Sequence, residues 1–346
     1  MTEPKTTLSA SRIKTLQSCS WLYWCKYKLN LPDPSNDGAK RGTVCHFIFE
    51  LLGKPRRESI HQYIIDNNDP FSHGAVKRLV LKHALKLEVA DEENLESIRV
   101  MILNGLKYDF YGRANGLISE SFSEKDFEIV RQDEQAGISY KIKGFIDKLF
   151  LYKDENLAII RDFKTSKEKF KGKEISDNLQ DYMYNLAVRH MFPEFKKRVS
   201  EFLFLKFELD QKLLQKSDGA VVMERINEDD LDGFEHQLTS IQKYIDELSE
   251  IDAKSNFAKN FPFPTDKSFS GPLQCGFAKY KGELKKDGKP KWACSMKFDF
   301  DYYVILKDGK VTKSFFEKDF DESLVESDHS FEKRYYAGCP AHLKRS

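Results

Sequence analysis

The chain has 346 residues, 40% of them hydrophobic and 32% charged, enough material for one large buried core or two ordinary ones. Its 56 Lys and Arg against 55 Asp and Glu leave a formal net charge of +1, which excludes a chain-wide attraction to nucleic acid or anionic lipid and makes any nucleic-acid surface local. No apolar run reaches the roughly 20 residues that cross a bilayer, the opening MTEPKTTLSAS lacks the blocks of a signal peptide, and six irregularly spaced cysteines argue against a disulfide framework, so a soluble cytoplasmic protein with no membrane partner is expected.

From Leu8 to about Lys28, Ile13, Leu16, Trp21 and Trp24 recur at three-to-five-residue steps after Ser9 and Ser11, the pattern of a packed helix with its N-cap. Pro32, Pro34 and Gly38 make a loop, and a second helix runs from Thr43 to Leu52. Its buried stripe is Val44, Phe47, Ile48 and Leu51, with His46 and Glu50 one turn apart on the other side. Residues from about 58 to 125 are helical in pattern and read as an insertion. Strands follow as FEIVRQDE, as ISYKIKGFIDKLFLY after the turn QAG, and as NLAIIRDFK, then later as RVSEFLFLKFELD and AVVMERI. Helices fill about 177–191 and 229–251. Strands grouped around a crossover helix imply a mixed α/β sheet. The tail carries two hairpin signals, Asp287-Gly288 and Asp308-Gly309.

The informative stretch is Gly144-Phe-Ile-Asp147, followed fifteen residues later by Asp162-Phe-Lys164. On neighbouring strands, these bring two carboxylates and a lysine to one sheet end. Carboxylate oxygens suit Mg²⁺, which takes one or two protein carboxylates and completes its shell with water and phosphate. Such an ion polarises a phosphate and acidifies a bound water, and Lys164, two residues past Asp162 on the same strand face, can stabilise the charge that develops. Asp and Lys on a strand are more often solvated, but Ile159-Ile160 leads into Asp162, and the run from Leu157 to Phe163 alternates poorly, as in a strand covered on both faces.

Taken in order, LSASRIKTLQSCSWLYW, Arg41-Gly-Thr-Val-Cys-His46, Glu128 in a strand, Gly-Phe-Ile-Asp147, Asp162-Phe-Lys164 and Gln180-Asp-Tyr-Met-Tyr184 resemble the PD-(D/E)XK nuclease superfamily. Within it they resemble the RecB-type exonucleases and their CRISPR-associated and phage relatives, over roughly residues 8–190. The resemblance implies a restriction-endonuclease-like α/β core, a mixed central sheet flanked by helices, over residues 1–260 with the helical insertion at about 58–125. Residues 261–346 would then form a C-terminal hairpin extension, a DNA-binding or cysteine-ligated element. It further implies Asp147 and Asp162 as Mg²⁺ or Mn²⁺ ligands, His46 and Glu128 as further ligands, Lys164 as the catalytic lysine, and Gln180 with Tyr184 as the element that braces the centre and touches DNA. For Tyr184, beside Leu186 and Val188, core packing accounts equally well for the aromatic.

Lys167, Lys169, Lys171 and Lys173 crowd the stretch after Lys164, and Lys279, Lys281, Lys285, Lys286, Lys289 and Lys291 decorate the later hairpin beside Tyr280 and Trp292. Such patches can meet phosphates and stack on single strands. Several RecB-type relatives carry a four-cysteine iron–sulfur cluster. Cys19, Cys275, Cys294 and Cys339 are the candidates for such a cluster or a zinc site, but their spacing does not support one, and reduced structural thiols are expected. The function implied is a metal-dependent deoxyribonuclease, an exonuclease acting on linear duplex ends or single strands in recombination, repair or phage DNA metabolism, in a bacterial cytoplasm or that of a phage host. A structure-specific or restriction-type endonuclease, or a catalytically silent DNA-binding subunit, is the alternative.

Overall fold

The computed structural model describes residues 6–134, 137–257 and 275–343. Helices are α1 (Ala10–Ser18), α2 (Ser20–Tyr23), α3 (Asp37–Leu52), α4 (Glu58–Asn67), α5 (Gly74–Lys86), α6 (Glu92–Lys107), α7 (Lys173–Ser176), α8 (Leu179–Met191), α9 (Glu228–Glu247) and α10 (Glu250–Ser255). Strands are β1 (Thr7–Leu8), β2 (Glu120–Asp133), β3 (Ile138–Tyr152), β4 (Leu157–Lys164), β5 (Lys197–Phe204), β6 (Ala220–Val222), β7 (Phe300–Lys307), β8 (Lys310–Phe316) and β9 (Ser330–Tyr336). They gather into two compact units, one of residues up to 10 and 35–243, the other of residues 11–34 and those from 244 onward. The second unit joins an early stretch of the chain to a later one. The reason is that Trp21, Cys25 and Leu31 bury their side chains with Tyr302, Val304 and Tyr336, a long-range contact that periodicity does not reveal.

The first unit is a mixed sheet flanked by helices, in the order β1-β3-β4-β5-β6 with β2 paired to β3. β3 organises it. One edge of β3 pairs antiparallel with β2 along nearly its whole length. The other edge takes β1 in parallel at Lys141 and Ile142, and β4 antiparallel from Lys148 to Tyr152. β4 and β5 run parallel and are joined through α8, the long crossover that parallel neighbours require.

Several sequence boundaries shift. α3 starts at Asp37 because the Asn36 side chain caps it, accepting a hydrogen bond from Ala39 N at 3.0 Å. Gly38 and Gly42 therefore lie inside a helix, where each costs roughly 0.5–1 kcal/mol relative to Ala. The buried face is Val44, Cys45, Ile48, Phe49 and Leu52, with Phe47 only partly buried. The helical stretch after residue 58 ends at Lys107, and β2 begins at Glu120, well before FEIVRQDE; the polar run ESFSEKD is strand because it pairs with β3, not because it alternates.

In the second unit the opening helix breaks at Cys19, and a π-turn spans Trp24–Lys28. β8, β7 and β9 form a three-stranded sheet. The turn at Asp308-Gly309, with φ of 51° and 73°, is the left-handed pair that a tight hairpin needs. Around Asp287-Gly288 the described residues form a single isolated bridge, Leu284 to Pro290, rather than two strands. No described helix is long and apolar enough to cross a membrane.

Glu235 of α9 ties the first unit together. Its carboxylate accepts from Arg131 Nε at 2.9 Å on β2 and from Tyr140 Oη at 3.1 Å on β3, and it also meets Arg189 and His190 of α8. Burial works against its charge, but His190, Arg131, Tyr140 and Arg189 outweigh burial and hold the carboxyl at about 2. A carboxyl depressed in the folded state contributes stability above its unfolded value, and that contribution fades as pH falls toward the folded one. Glu235→Gln is expected to lower stability at pH 7 by about 1–2 kcal/mol, a few degrees in Tm, after discounting for solvent screening. Thermal melts of both proteins should show the gap narrowing between pH 4.5 and 2; a constant gap would contradict this linkage.

Candidate active site

β3 and β4 part at one point. Their ladder ends at Lys148 and Arg161, so the next pair would be Asp147 and Asp162. Instead, Asp147 Oδ2 accepts a hydrogen bond from Phe163 N at 2.6 Å, supplying a partner for an amide the ladder no longer serves. Both carboxylates are buried.

β2 is distorted at the same level. Ser123 pairs with Lys148 and Lys125 with Ile146, so Glu124 faces Asp147. Its φ of 50° is left-handed, a conformation costing a non-glycine residue on the order of 1–3 kcal/mol and found where function demands it. Glu124 Oε1 lies 3.4 Å from His46 Nδ1, and Asp147 Oδ1 lies 3.2 Å from the same nitrogen. Ligand atoms of the three residues gather within 4.8 Å. α3 can deliver His46 there because residue 42 is glycine: a Cβ at that position would stand 3.2 Å from Thr165 Oγ1 at the end of β4.

The other half of the site is built from β4 and α8. The Asn178 side chain caps α8 by accepting from Gln180 N and Asp181 N, which sets Gln180 and Tyr184 one turn apart. Tyr184 Oη donates to Asp162 Oδ1 at 2.7 Å, and Gln180 Nε2 donates to the same oxygen at 2.8 Å. Lys164 Nζ donates to Gln180 Oε1 at 2.7 Å and faces Asp162 Oδ2 at 2.7 Å. That Oδ2 is buried without a hydrogen bond of ordinary geometry.

Burial, and then repulsion from Asp162, hold the Asp147 carboxyl above the usual carboxylate range, although His46 and Phe163 N pull the other way. Burial opposes a charge on His46, but Asp147 and Glu124 outweigh it and push the imidazole up to about 10. This acid-rich site therefore favours a cation. Its candidate ligand atoms are those of Asp147, Glu124 and His46, gathered within 4.8 Å of one another, with Asp162 next to Asp147, a carboxylate-rich set that fits Mg²⁺ or Mn²⁺. An open cleft of about 580 Å³ runs past it, lined by Gly42, Thr43, His46, Glu50, Glu124 and Thr165.

Thus Asp147, Asp162, Lys164, Gln180, Tyr184 and His46 converge. Glu128 does not: it sits four residues along β2 from Glu124, between Lys141 Nζ at 3.4 Å and Lys143 Nζ at 3.9 Å. The acidic residue that β2 brings to the site is Glu124. Counting back along the ladder from the Asp133–Ile138 pair sets residue 124 opposite residue 147. Tyr184 is 5% exposed with its hydroxyl on Asp162, so it offers no face to DNA. Lys169 is tied to Asp218, and the side chain of Lys173 lies outside the described residues, leaving Lys167 and Lys171 as the freer part of that run.

The cysteines are less scattered than their spacing implies. Cys19, Cys275, Cys294 and Cys339 line one cavity of about 30 Å³, closed by Trp21 and Met296. Burial, with repulsion from Cys19 and Cys275, raises the Cys294 thiol to about 11, and burial, with repulsion from Cys19, Cys294 and Cys275, raises the Cys339 thiol to about 12. Among the described residues no three of these sulfurs lie within 4.8 Å of one another.

A mixed sheet with two carboxylates and a lysine at adjacent strand ends is a frame suited to metal-assisted phosphodiester chemistry. The chain belongs to the PD-(D/E)XK nuclease superfamily, whose family model matches residues 7–277, and nucleases of this superfamily use divalent metals. No curated protein matches the chain.

Substituting the two strand glutamates separately tests the register. Glu124→Gln should lower cleavage by about 10²-fold or more, the scale of a lost site contact, while Glu128→Gln should stay within about twofold of the parent. Steady-state cleavage at matched folded concentration reads both, and the reverse order of effects would move the acidic residue back to 128.

Proposed function

We propose that this protein is a DNA exonuclease of RecB type, hydrolysing phosphodiester bonds from linear duplex ends or in single strands during recombination, repair or phage DNA metabolism. The observation that carries the reading is the Asp147–Asp162 pair with Lys164 held against it by Gln180. The exonuclease subtype rests on the ordered resemblance of His46, Asp147, Asp162, Lys164 and the Gln180–Tyr184 pair to RecB-type enzymes.

Asp147 and Asp162, with Glu124 and His46, would hold a Mg²⁺ or Mn²⁺ ion. Such an ion supplies Lewis acidity toward the phosphate and lowers the pKa of a bound water. Lys164 stabilises the charge that grows on the phosphate oxygens, and its ammonium needs no reorganisation because Gln180 Oε1 fixes it. Gln180 and Tyr184 fix Asp162 in turn, so one helix turn orients both the carboxylate and the lysine. Glu50 and Thr43 border the cleft along which a strand would lie.

End-labelled linear duplex, closed circular DNA and single strands, incubated in Mg²⁺, in Mn²⁺ and in EDTA, test the activity. Loss of linear but not circular DNA, abolished by EDTA, is expected. Cleavage of circles would make the protein an endonuclease, and inertness toward all substrates would leave a silent binding subunit. Lys164→Ala should lower single-turnover cleavage by about 10²–10³-fold with DNA affinity in Ca²⁺ nearly unchanged. Loss of affinity with bound DNA still cut at the parent rate would reduce Lys164 to a phosphate anchor.

The cavity shared by the four cysteines favours a second reading, in which Cys19, Cys275, Cys294 and Cys339 ligate an iron–sulfur cluster as a structural clip. A single tetrahedral zinc at about 2.3 Å from each sulfur would need the sulfurs closer together, whereas a cubane spreads its four thiolates over separate irons. Protein purified without oxygen should carry about four irons and as many acid-labile sulfides per chain, and Cys294→Ala should lose them and melt earlier. Zinc alone, or no metal with an unchanged melt, would refute the cluster.

A further inference from the structure

We infer that residues 276–293, the excursion between Cys275 and Cys294, form an arm that binds single-stranded nucleic acid by base stacking. Choosing a nucleic acid over another polyanion rests on the nuclease reading above. The arm is a folded object. Phe277 N donates to Trp292 O at 2.8 Å, Lys291 N to Glu283 O at 2.8 Å and Lys285 N to Lys289 O at 2.7 Å, and isolated bridges join Gly276 to Ala293 and Leu284 to Pro290. Its base crosses itself closely: at Gly276, φ is 73°, and a Cβ would lie 2.4 Å from Ala293 Cα. The base ends on two cysteines of the shared cavity.

What this frame presents is unusual for a surface. Tyr280 is 64% exposed and Trp292 52%, with Phe277 and Leu284 also half or more exposed. Four large apolar side chains exposed within eighteen residues cost solubility unless something covers them. The same stretch carries six lysines against Glu283 and Asp287, a net +4 in a chain whose total is +1. Lys291 is paired with Glu283, and Lys281 Nζ donates to Asp299 O at 2.8 Å, so these two belong to the frame. Lys285, Lys286 and Lys289 ring the tip with no ion-pair partner among the described residues. Lysines for phosphates interleaved with aromatic faces for bases are what a single strand needs, because its bases are unstacked, whereas a duplex hides the faces of its bases.

Binding is measured on the full chain in EDTA, which removes cleavage, with a 5′-labelled oligo-dT of about 20 nucleotides, longer than the roughly 4–16 nucleotides typical of one binding module. The readouts are fluorescence anisotropy and tryptophan emission. Oligo-dT should quench the emission of the parent and not that of Trp292→Phe. Tyr280→Ala should weaken binding by about tenfold, the scale of one lost base stack. The triple variant Lys285→Glu, Lys286→Glu and Lys289→Glu should weaken it further and lower the salt slope by about 2, roughly 0.7 per phosphate contact on single strands. Circular dichroism and Tm establish that each variant is folded. Parent-like affinity in Tyr280→Ala and the triple variant would overturn the inference. So would equal arm dependence for a blunt duplex, or displacement of oligo-dT by polyglutamate at matched charge, which would assign the arm to an acidic protein. Absence of cleavage in Mg²⁺ with arm-dependent oligo-dT binding would sink the nuclease reading alone, and normal cleavage with arm-independent binding would sink the arm alone.

Discussion

Two buried carboxylates stand side by side where a β-ladder would otherwise have continued, and most of the first unit answers to that fact. Like charges out of water repel strongly, so Asp147 and Asp162 persist together only because donors reach them from every neighbouring element. Phe163 N and His46 serve Asp147, while Tyr184, Gln180 and Lys164 serve Asp162. The neighbouring elements are set locally: residue 42 of α3 is glycine where it passes Thr165, Glu124 of β2 is left-handed, and the Asn178 cap starts α8. The residual negative field opens on one side to the cleft lined by His46 and Glu124.

The opposite face of β4 explains why this arrangement stays rigid. Arg161, adjacent to Asp162 in sequence, is fully buried and donates to Glu201 Oε2 at 2.9 and 3.1 Å and to the Asp109 carbonyl at 2.8 Å. Its guanidinium also lies over the Tyr108 and Phe150 rings. Breaking a buried pair of this kind costs on the order of 3–5 kcal/mol, because it strands a charge. One strand thus carries a buried ion pair on one side and the Asp162–Lys164 pair of the candidate site on the other.

Taken alone, Asp162-Phe-Lys164 is a weak signal, and Asp147, Asp162 and Lys164 are legible as a group through the apolar strand that leads into them and the order they share with a known superfamily. Gln180 and Tyr184 were legible because they recur at helical spacing. Glu124 was missed because ESFSEKD shows no period-two alternation and because a backbone excursion, invisible to pattern, turns its carboxylate toward His46. The start of α3 was missed because two glycines and two prolines read as loop, although Asn36 was a sufficient cap. Tyr184 lost its role as a DNA contact because periodicity does not tell which side of a helix faces solvent. The meeting of four cysteines was hidden for a different reason: Cys19, at the break between α1 and α2, packs in one cluster with Tyr302, Val304 and Tyr336 of distant strands, and no local rule encodes that pairing.

The central claim is that the point where β3 and β4 diverge is a divalent-cation site made by Asp147 and Asp162. Mn²⁺ binding followed by electron paramagnetic resonance tests it without reference to turnover. The parent protein should quench the free-ion signal saturably, and Asp147→Asn and Asp162→Asn, each verified as folded, should leave that signal at its protein-free intensity. Saturable Mn²⁺ binding of parent strength in either variant would contradict the account.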